Sequence, residues 1–568
     1  MSRTPARRSI LGELKRRHVF KVGAAYVVVA FVVMEAAGMF TDYLQLPAFT
    51  PRLVTALLFL GLPIALVLAW AYEITDRGVV RDSEVESTTA TRVSPAPLDP
   101  SEVRPRSVAV LPFANLSGEE DSEYFSDGVT DDIITSVSRI AELTVVSWTS
   151  VMRYKQSDEP VREIARALRV GTVLEGSVRR AGGRVRISAQ LIDAIQDRHI
   201  WVESYDHRLE DIFEIQSDVA TRIAEALATE LSPEERADID RRPTVEVEAY
   251  DQYLKGRFLW SRRTEDGLLK SIDYYGRSLE MDENFALAEA GLADSYVTLG
   301  LYGVSDPREV MPLAREAATR SLAIDPRAAE ALTSLATVRG LYDWSWSEAE
   351  RDYRHAIELQ PNYPVAHHWY ASNLLTPLGR FDEARVELKK ALELDPLSEA
   401  VATSVGVVCL YSGDCDSAVQ RFDELLDVHQ HFGMAHFFKG LAHAGLEQWP
   451  EAIACLGRAD EFTGSSIEVR AAQGHALASS GREAAAREIL VELKTRCDEH
   501  YCSPALRAQV HLGLGEKEEA LDLLEQGADE RAVDLVWMHV RPTYDPLRGH
   551  PRFEALLKRV GLPASSTT

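Results

Sequence analysis

At 568 residues the chain is too long for one hydrophobic core, and about 150 residues per unit suggests three or four units. Its 46% hydrophobic and 26% charged content excludes wholesale disorder and collagen-like structure, and five cysteines are too few for a disulfide framework. The 62 basic and 88 acidic side chains leave a net charge of −26, which argues against a general nucleic-acid binder.

Residues 1–21 form a basic head: Arg3, Arg7, Arg8, Lys15, Arg16, Arg17 and Lys21 against Glu13 alone. Residues 22–72 read as a transmembrane hairpin. Val22–Thr41 carries a single charge, Glu35, and Leu53–Tyr72 carries none. Each run is long enough to cross the ~30 Å hydrocarbon core as a helix, and Tyr43, Phe49, Trp70 and Tyr72 fall near the expected interfaces. A cleaved signal peptide fits less well, because the first run is long and a second follows it. Glu35 has no polar partners for an ion pathway and reads as a carboxyl facing the other helix. The basic flanks place the N-terminus in the cytoplasm, and two crossings return the body there, at the inner membrane. Reduced cysteines are compatible with that side. Residues 73–106 are polar, with Pro95, Pro97, Pro100 and Pro105, and read as an extended linker.

From 107 to 232 strands and helices alternate, which predicts an α/β domain. Ser107–Phe113 suits a buried strand. Asp127–Ile140 has helical spacing with Asp127 as N-cap, and Leu143–Val151 reads as a second strand. A helix is expected over Val161–Leu168 and a hairpin over Thr172–Arg179 and Arg184–Leu191, turned at Ala181-Gly182-Gly183. A strand over His199–Tyr205 and a helix over Ile212–Leu231 complete the set. Several phrases here, Ser107-Val108-Ala109-Val110-Leu111-Pro112-Phe113, Tyr124-Phe125-Ser126-Asp127-Gly128, Leu174-Glu175-Gly176-Ser177-Val178-Arg179 and Gln190-Leu191-Ile192-Asp193, resemble the TolB amino-terminal-like domain. Glu13–Phe20 resembles the anchor of the bacterial proteins that carry it. Those proteins combine the domain with membrane anchors, regulator heads or cyclases, often with helical repeats behind. Phe125-Ser126-Asp127-Gly128 itself reads as a capped turn, since neither a glycine-rich loop nor a lysine accompanies it.

The second half is periodic. Pro326, Pro361 and Pro396 stand 35 residues apart, each closing a phrase such as Ala391-Leu392-Glu393-Leu394-Asp395-Pro396. Gly379–Ala384, Gly413–Ala418, Gln448–Ala452 and Gly515–Ala520 mark the turns within helix pairs. This pattern resembles the tetratricopeptide repeat. It implies an all-α superhelix over 245–560 with about eight helix pairs between Ala249 and Gly527 and degenerate ends. Asp343-Trp344-Ser345-Trp346, His367–Tyr370 and the tail Tyr544–Leu557 also resemble the TolB-like-plus-repeat group.

No motif supports a catalytic, cofactor or metal site, so no enzyme activity and no cofactor are expected. His429, His431, His436 and His443, and Cys497, His500 and Cys502, lack the spacing of a zinc site and read as packing or surface residues. The leading expectation is a membrane-anchored scaffold that binds a protein or peptide through its repeats. The alternative is a sensory protein whose TolB-like domain binds a ligand and signals through them. In the repeat resemblance the first helix of each pair lines the concave surface. The register fixed by Ala384, Ala418 and Ala452 then nominates Trp369, Tyr370 and Asn373, then Ser404, Val407 and Tyr411, then Phe437, Phe438 and Leu441 as partner-binding positions. Packing between repeats is the competing role for these rings.

Overall fold

The computed structural model describes residues 58, 72–75, 78–81, 103–117, 123–181 and 183–564. The two expected spans lie outside the described residues, apart from Leu58 and Tyr72. Among the described residues no helix is long and apolar enough to cross a membrane. The chain divides into two compact units, Met1–Ala96 and Pro97–Thr568. The first shows a hairpin of β1 (Tyr72–Thr75) and β2 (Gly78–Arg81), with Thr75 opposite Gly78. Tyr72 therefore opens a strand, and the expected linker is not wholly extended.

The second unit begins with a six-stranded mixed sheet. Its strands are β3 (Arg104–Val110), β4 (Ala114–Asn115), β5 (Thr144–Val145), β6 (Val170–Ala181), β7 (Arg184–Asp193) and β8 (Arg198–Arg208), ordered β5-β3-β6-β7-β8 with β4 paired to β6. β5, β3 and β6 run parallel, while β6, β7 and β8 form an antiparallel meander. Gly183 turns the β6–β7 hairpin at φ +76°, where a side chain would be strained. Helices α1 (Glu123–Ser138), α2 (Trp148–Met152), α3 (Val161–Leu168), α4 (Ile212–Ala226) and α5 (Pro233–Ile239) complete this layer.

Two local expectations are corrected. Asp127 is not an N-cap, because α1 starts at Glu123 and carries Phe125 into the core and the Tyr124 hydroxyl to Asp251 at 2.8 Å. The strand expected over Leu143–Val151 is only Thr144–Val145. Ser147 then caps α2, its Oγ accepting from the Ser150 amide at 3.4 Å, and ends the extended run.

Eight helix pairs follow: α6 (Val247–Trp260) with α7 (Glu265–Met281), α8 (Ala286–Leu301) with α9 (Pro307–Ile324), and α10 (Ala329–Leu341) with α11 (Trp346–Leu359). Next come α12 (Pro364–Tyr370) with α13 (Phe381–Leu394), α14 (Glu399–Tyr411) with α15 (Cys415–Val428), and α16 (Gly433–Gly445) with α17 (Trp449–Thr463). Finally α18 (Ile467–Ser479) pairs with α19 (Glu483–Glu499), and α20 (Pro504–Gly513) with α21 (Lys517–Asp529). The small residues Ala349, Ala384, Ala418 and Ala452 are wholly buried where paired helices meet. Two short 3₁₀ turns, Val533–Trp537 and Pro542–Leu547, lead to α22 (Pro551–Val560).

The sheet layer and the repeats share one core. It runs from Val108 on β3 through Tyr250, Tyr253, Tyr275 and Phe285 to Leu335 on α10. Gly128 allows the join, since a Cβ there would stand 2.6 Å from Leu254 on α6. Farther along the superhelix the same layer touches the turns that end in proline. The Ser147 amide donates to Leu394 O at 2.8 Å, and Asn362 Nδ2 to Ile140 O at 3.0 Å. Ser150 Oγ donates to Asp395 Oδ1 at 2.5 Å.

Candidate functional site

The C-terminal turns fold back onto the inside of the superhelix. Trp537 Nε1 donates to Ser372 O at 3.2 Å, and Arg541 Nε donates to the Tyr411 hydroxyl at 3.1 Å. The Arg531 guanidinium lies 3.9 Å from the Trp344 ring centre, and Trp346 Nε1 donates to Val560 O at 2.8 Å. The tryptophans of the Asp343-Trp344-Ser345-Trp346 phrase thus grip the tail that ends the chain's described part. Together the sheet layer, the repeats and this cap line a partly open cavity of about 1530 Å³, larger than the ~300–1,000 Å³ of small-molecule sites.

Six of the nine nominated positions line this cavity: Trp369, Asn373, Ser404, Val407, Tyr411 and Phe438. The other three do not. Tyr370 packs on Tyr353 with ring centres 5.5 Å apart, and its hydroxyl donates to Glu350 Oε1 at 3.0 Å. Phe437 is buried edge-on to Phe438 at 4.9 Å, and Leu441 is buried in the same cluster of repeats. Tyr411 faces the cavity, yet its hydroxyl is already engaged by Arg541 of the chain itself.

Asn373 owes its position to a π-helical turn over Ala371–Leu375 that extends α12. Pro377 lacks the N–H that would bond Asn373 O, and the Thr376 amide instead reaches back to Ala371 O at 2.9 Å. The turn leaves Ser372 Oγ and Asn373 Nδ2 buried without a hydrogen-bond partner among the described residues.

Several lining groups escaped the sequence reading because they come from outside the repeat register. Asp127 and Trp148 come from the sheet layer, and Asp534, Trp537 and Arg541 from the cap. Asp127 is 3% exposed; Lys155 Nζ donates to its Oδ2 at 2.8 Å, while Oδ1 has no partner among the described residues. Burial drives the electrostatics of the walls. It pushes the Asp294 carboxyl up to about 6 against a hydrogen bond from Ser334, and lowers His368 to about 4. His368 is therefore a neutral imidazole at pH 7, its Nε2 set 2.9 Å from Ser404 Oγ.

Among the described residues no three His, Cys, Asp or Glu side chains are placed to hold a metal ion. His429 Nδ1 lies 3.0 Å from Glu399, His443 Nδ1 2.7 Å from Gln448, and His436 Nε2 2.9 Å from Gln430 O. His431 packs edge-on to Phe462 at 5.0 Å, and His500 lines the cavity. Cys497 and Cys502, expected as packing or surface residues, form a disulfide; Cys409, Cys415 and Cys455 are free.

Comparison with known proteins finds a match in each of these two parts. Residues 366–396 match the tetratricopeptide repeat family, and the helix pairs make the chain a repeat-containing protein. Residues 104–225 match the second domain of HilA/YgeH-like transcriptional regulators.

Over 187 residues the chain is 41% identical to the putative adenylate cyclase 3 of Rhizobium meliloti, covering 33% of this chain and 32% of that protein. It is 23% identical over 193 residues to the transcriptional regulator HilA of Salmonella typhimurium, 34% of each. The chain thus spans about a third of the length of these relatives. A tetratricopeptide repeat protein from Parabacteroides merdae overlaps 45% of this chain and 99% of its own, at 16% identity and a TM-score of 0.32.

Proposed function

We propose that this protein is a membrane-anchored, non-enzymatic scaffold that takes a segment of a partner protein into the cavity between its sheet layer and its repeats. The observation that carries this reading is the convergence of Trp369, Asn373, Ser404, Val407, Tyr411 and Phe438 on one cavity too large for an ordinary metabolite. Aromatic groups beside unpartnered polar atoms suit peptide recognition, in which few buried anchors supply most of the affinity. The order of motifs over 107–232 supports a TolB-like domain, with the repeats at 245–560 as the partner-binding part. Anchoring rests on the two apolar runs within 22–72 and the basic residues of 1–21.

A photo-crosslinking residue at Val407, inside the cavity, should give discrete adducts with a partner in cells. The same residue at Val428, 73% exposed, should give none. Adducts from Val428 alone, or none from Val407, would sink the reading.

A further inference from the structure

The cavity walls are unbalanced in charge. Ten aspartate and glutamate side chains line them against six guanidiniums, and no lysine does. Four of those arginines are already held: Arg153 by Glu399 at 2.6 Å, Arg257 by Asp131 at 2.7 Å, Arg496 by Glu492 at 3.5 Å and Arg541 by Glu468 at 3.8 Å. Among the described residues Asp132, Asp294, Glu330, Asp395 and Asp534 have no cation within ion-pair distance although all five face the cavity.

Two carboxylate oxygens on these walls lack even a hydrogen bond among the described residues. Asp127 Oδ1 belongs to a side chain 3% exposed on the sheet-layer wall. Asp534 Oδ2 is buried at the cap, where Ser503 Oγ donates only to Oδ1, at 2.7 Å. A buried acceptor without a donor costs about 1–3 kcal/mol, more when it is charged. Burial accordingly holds both carboxyls above the usual carboxylate range. The chain also shows how this space holds a cation. The Arg541 side chain, from a residue 5% exposed, lies in it between the Tyr411 hydroxyl and Glu468.

We propose that the cavity receives an extended peptide segment rich in arginine or lysine, whose cationic side chains meet Asp127 Oδ1 on the sheet-layer wall and Asp534 Oδ2 at the cap. Charge complementarity selects this occupant over an acidic or apolar segment. Guanidinium and ammonium groups are also the donors that a half-satisfied carboxylate accepts most strongly. The proposal rests on the scaffold reading and specifies its ligand.

The test uses the full-length protein and two blocked decapeptides, one alternating Arg and Ala and one alternating Glu and Ala. Binding is read by fluorescence anisotropy at about 0.15 M salt, where distant surface charges are screened. The Arg-Ala peptide should bind and the Glu-Ala peptide should not. Asp127→Asn and Asp534→Asn should each weaken binding about tenfold. Asp382→Asn, at a side chain 100% exposed on α13, should leave it unchanged.

Since Asp127 is tied to Lys155, Asp534→Asn provides a second variant whose melting temperature should match the parent. Equal binding of the two peptides, equal loss in Asp382→Asn, or full affinity in folded Asp534→Asn would overturn the proposal. If the Arg-Ala peptide fails to bind while the Val407 adducts persist, the charge preference falls and the scaffold reading stands. If those adducts are missing, both fall.

Discussion

Asp132 lies at the seam between α1 and α6, where it accepts hydrogen bonds from the Tyr250 hydroxyl and, at 3.1 Å, from Gln216 Nε2. Burial outweighs those bonds and pushes its carboxyl to about 7. The folded protein therefore keeps a proton that the unfolded chain, with an ordinary Asp near 3.9, gives up. Between about pH 4 and pH 7 the unfolded state binds fewer protons, so stability declines as pH rises through that window. Asp132→Asn should flatten that part of the curve of melting temperature against pH. It should raise the melting temperature at pH 8 by several degrees and change it little at pH 4. An unaltered slope would place the titration elsewhere. Asp132 was not legible in the sequence, where it was one more acid on an amphipathic helix; only the arrival of Tyr250 from another element buries it.

At the scale of elements, the 35-residue spacing of Pro326, Pro361 and Pro396 was enough to place the helix pairs. A local rule sets each boundary: proline cannot extend a helix, and a small residue lets two helices approach. Ala384→Glu tests that register, since Ala384 is 0% exposed on α13. An unpaired carboxylate there should cost about 3–5 kcal/mol. Thermal unfolding followed by circular dichroism would show it, and an unchanged curve would contradict the packing. The π-helical turn escaped the periodic reading although its cause was in view. Pro377 removes one amide, but whether a helix breaks or merely shifts its hydrogen bonds depends on what packs around it. Two of the five nominated rings had the same ambiguity. The register put Tyr370 and Phe437 on the right helices, and contacts with Tyr353 and Phe438 turned them into packing.

For the whole molecule, two features bear on the side of the membrane that the proposed anchoring gives the body. Under the proposed anchoring, seven basic residues before the first apolar run would leave the body on the cytoplasmic side by the positive-inside rule. The Cys497–Cys502 bridge is of a kind that persists mainly in oxidising compartments. A C-terminal alkaline phosphatase fusion should be inactive if the charge rule governs, and an active fusion would put the body outside.

The sequence by itself determined that an α/β region precedes a solenoid of tetratricopeptide-like helix pairs. That order follows from short-range spacing of apolar residues, small residues and prolines. Only the tertiary structure decided that sheet layer and superhelix share a core, that Trp537 and Arg541 fold back onto the inner face, and that the groove becomes a partly open cavity rich in acidic side chains. Those contacts join residues more than a hundred positions apart, through complementary shapes and single hydrogen bonds that leave no period in the chain.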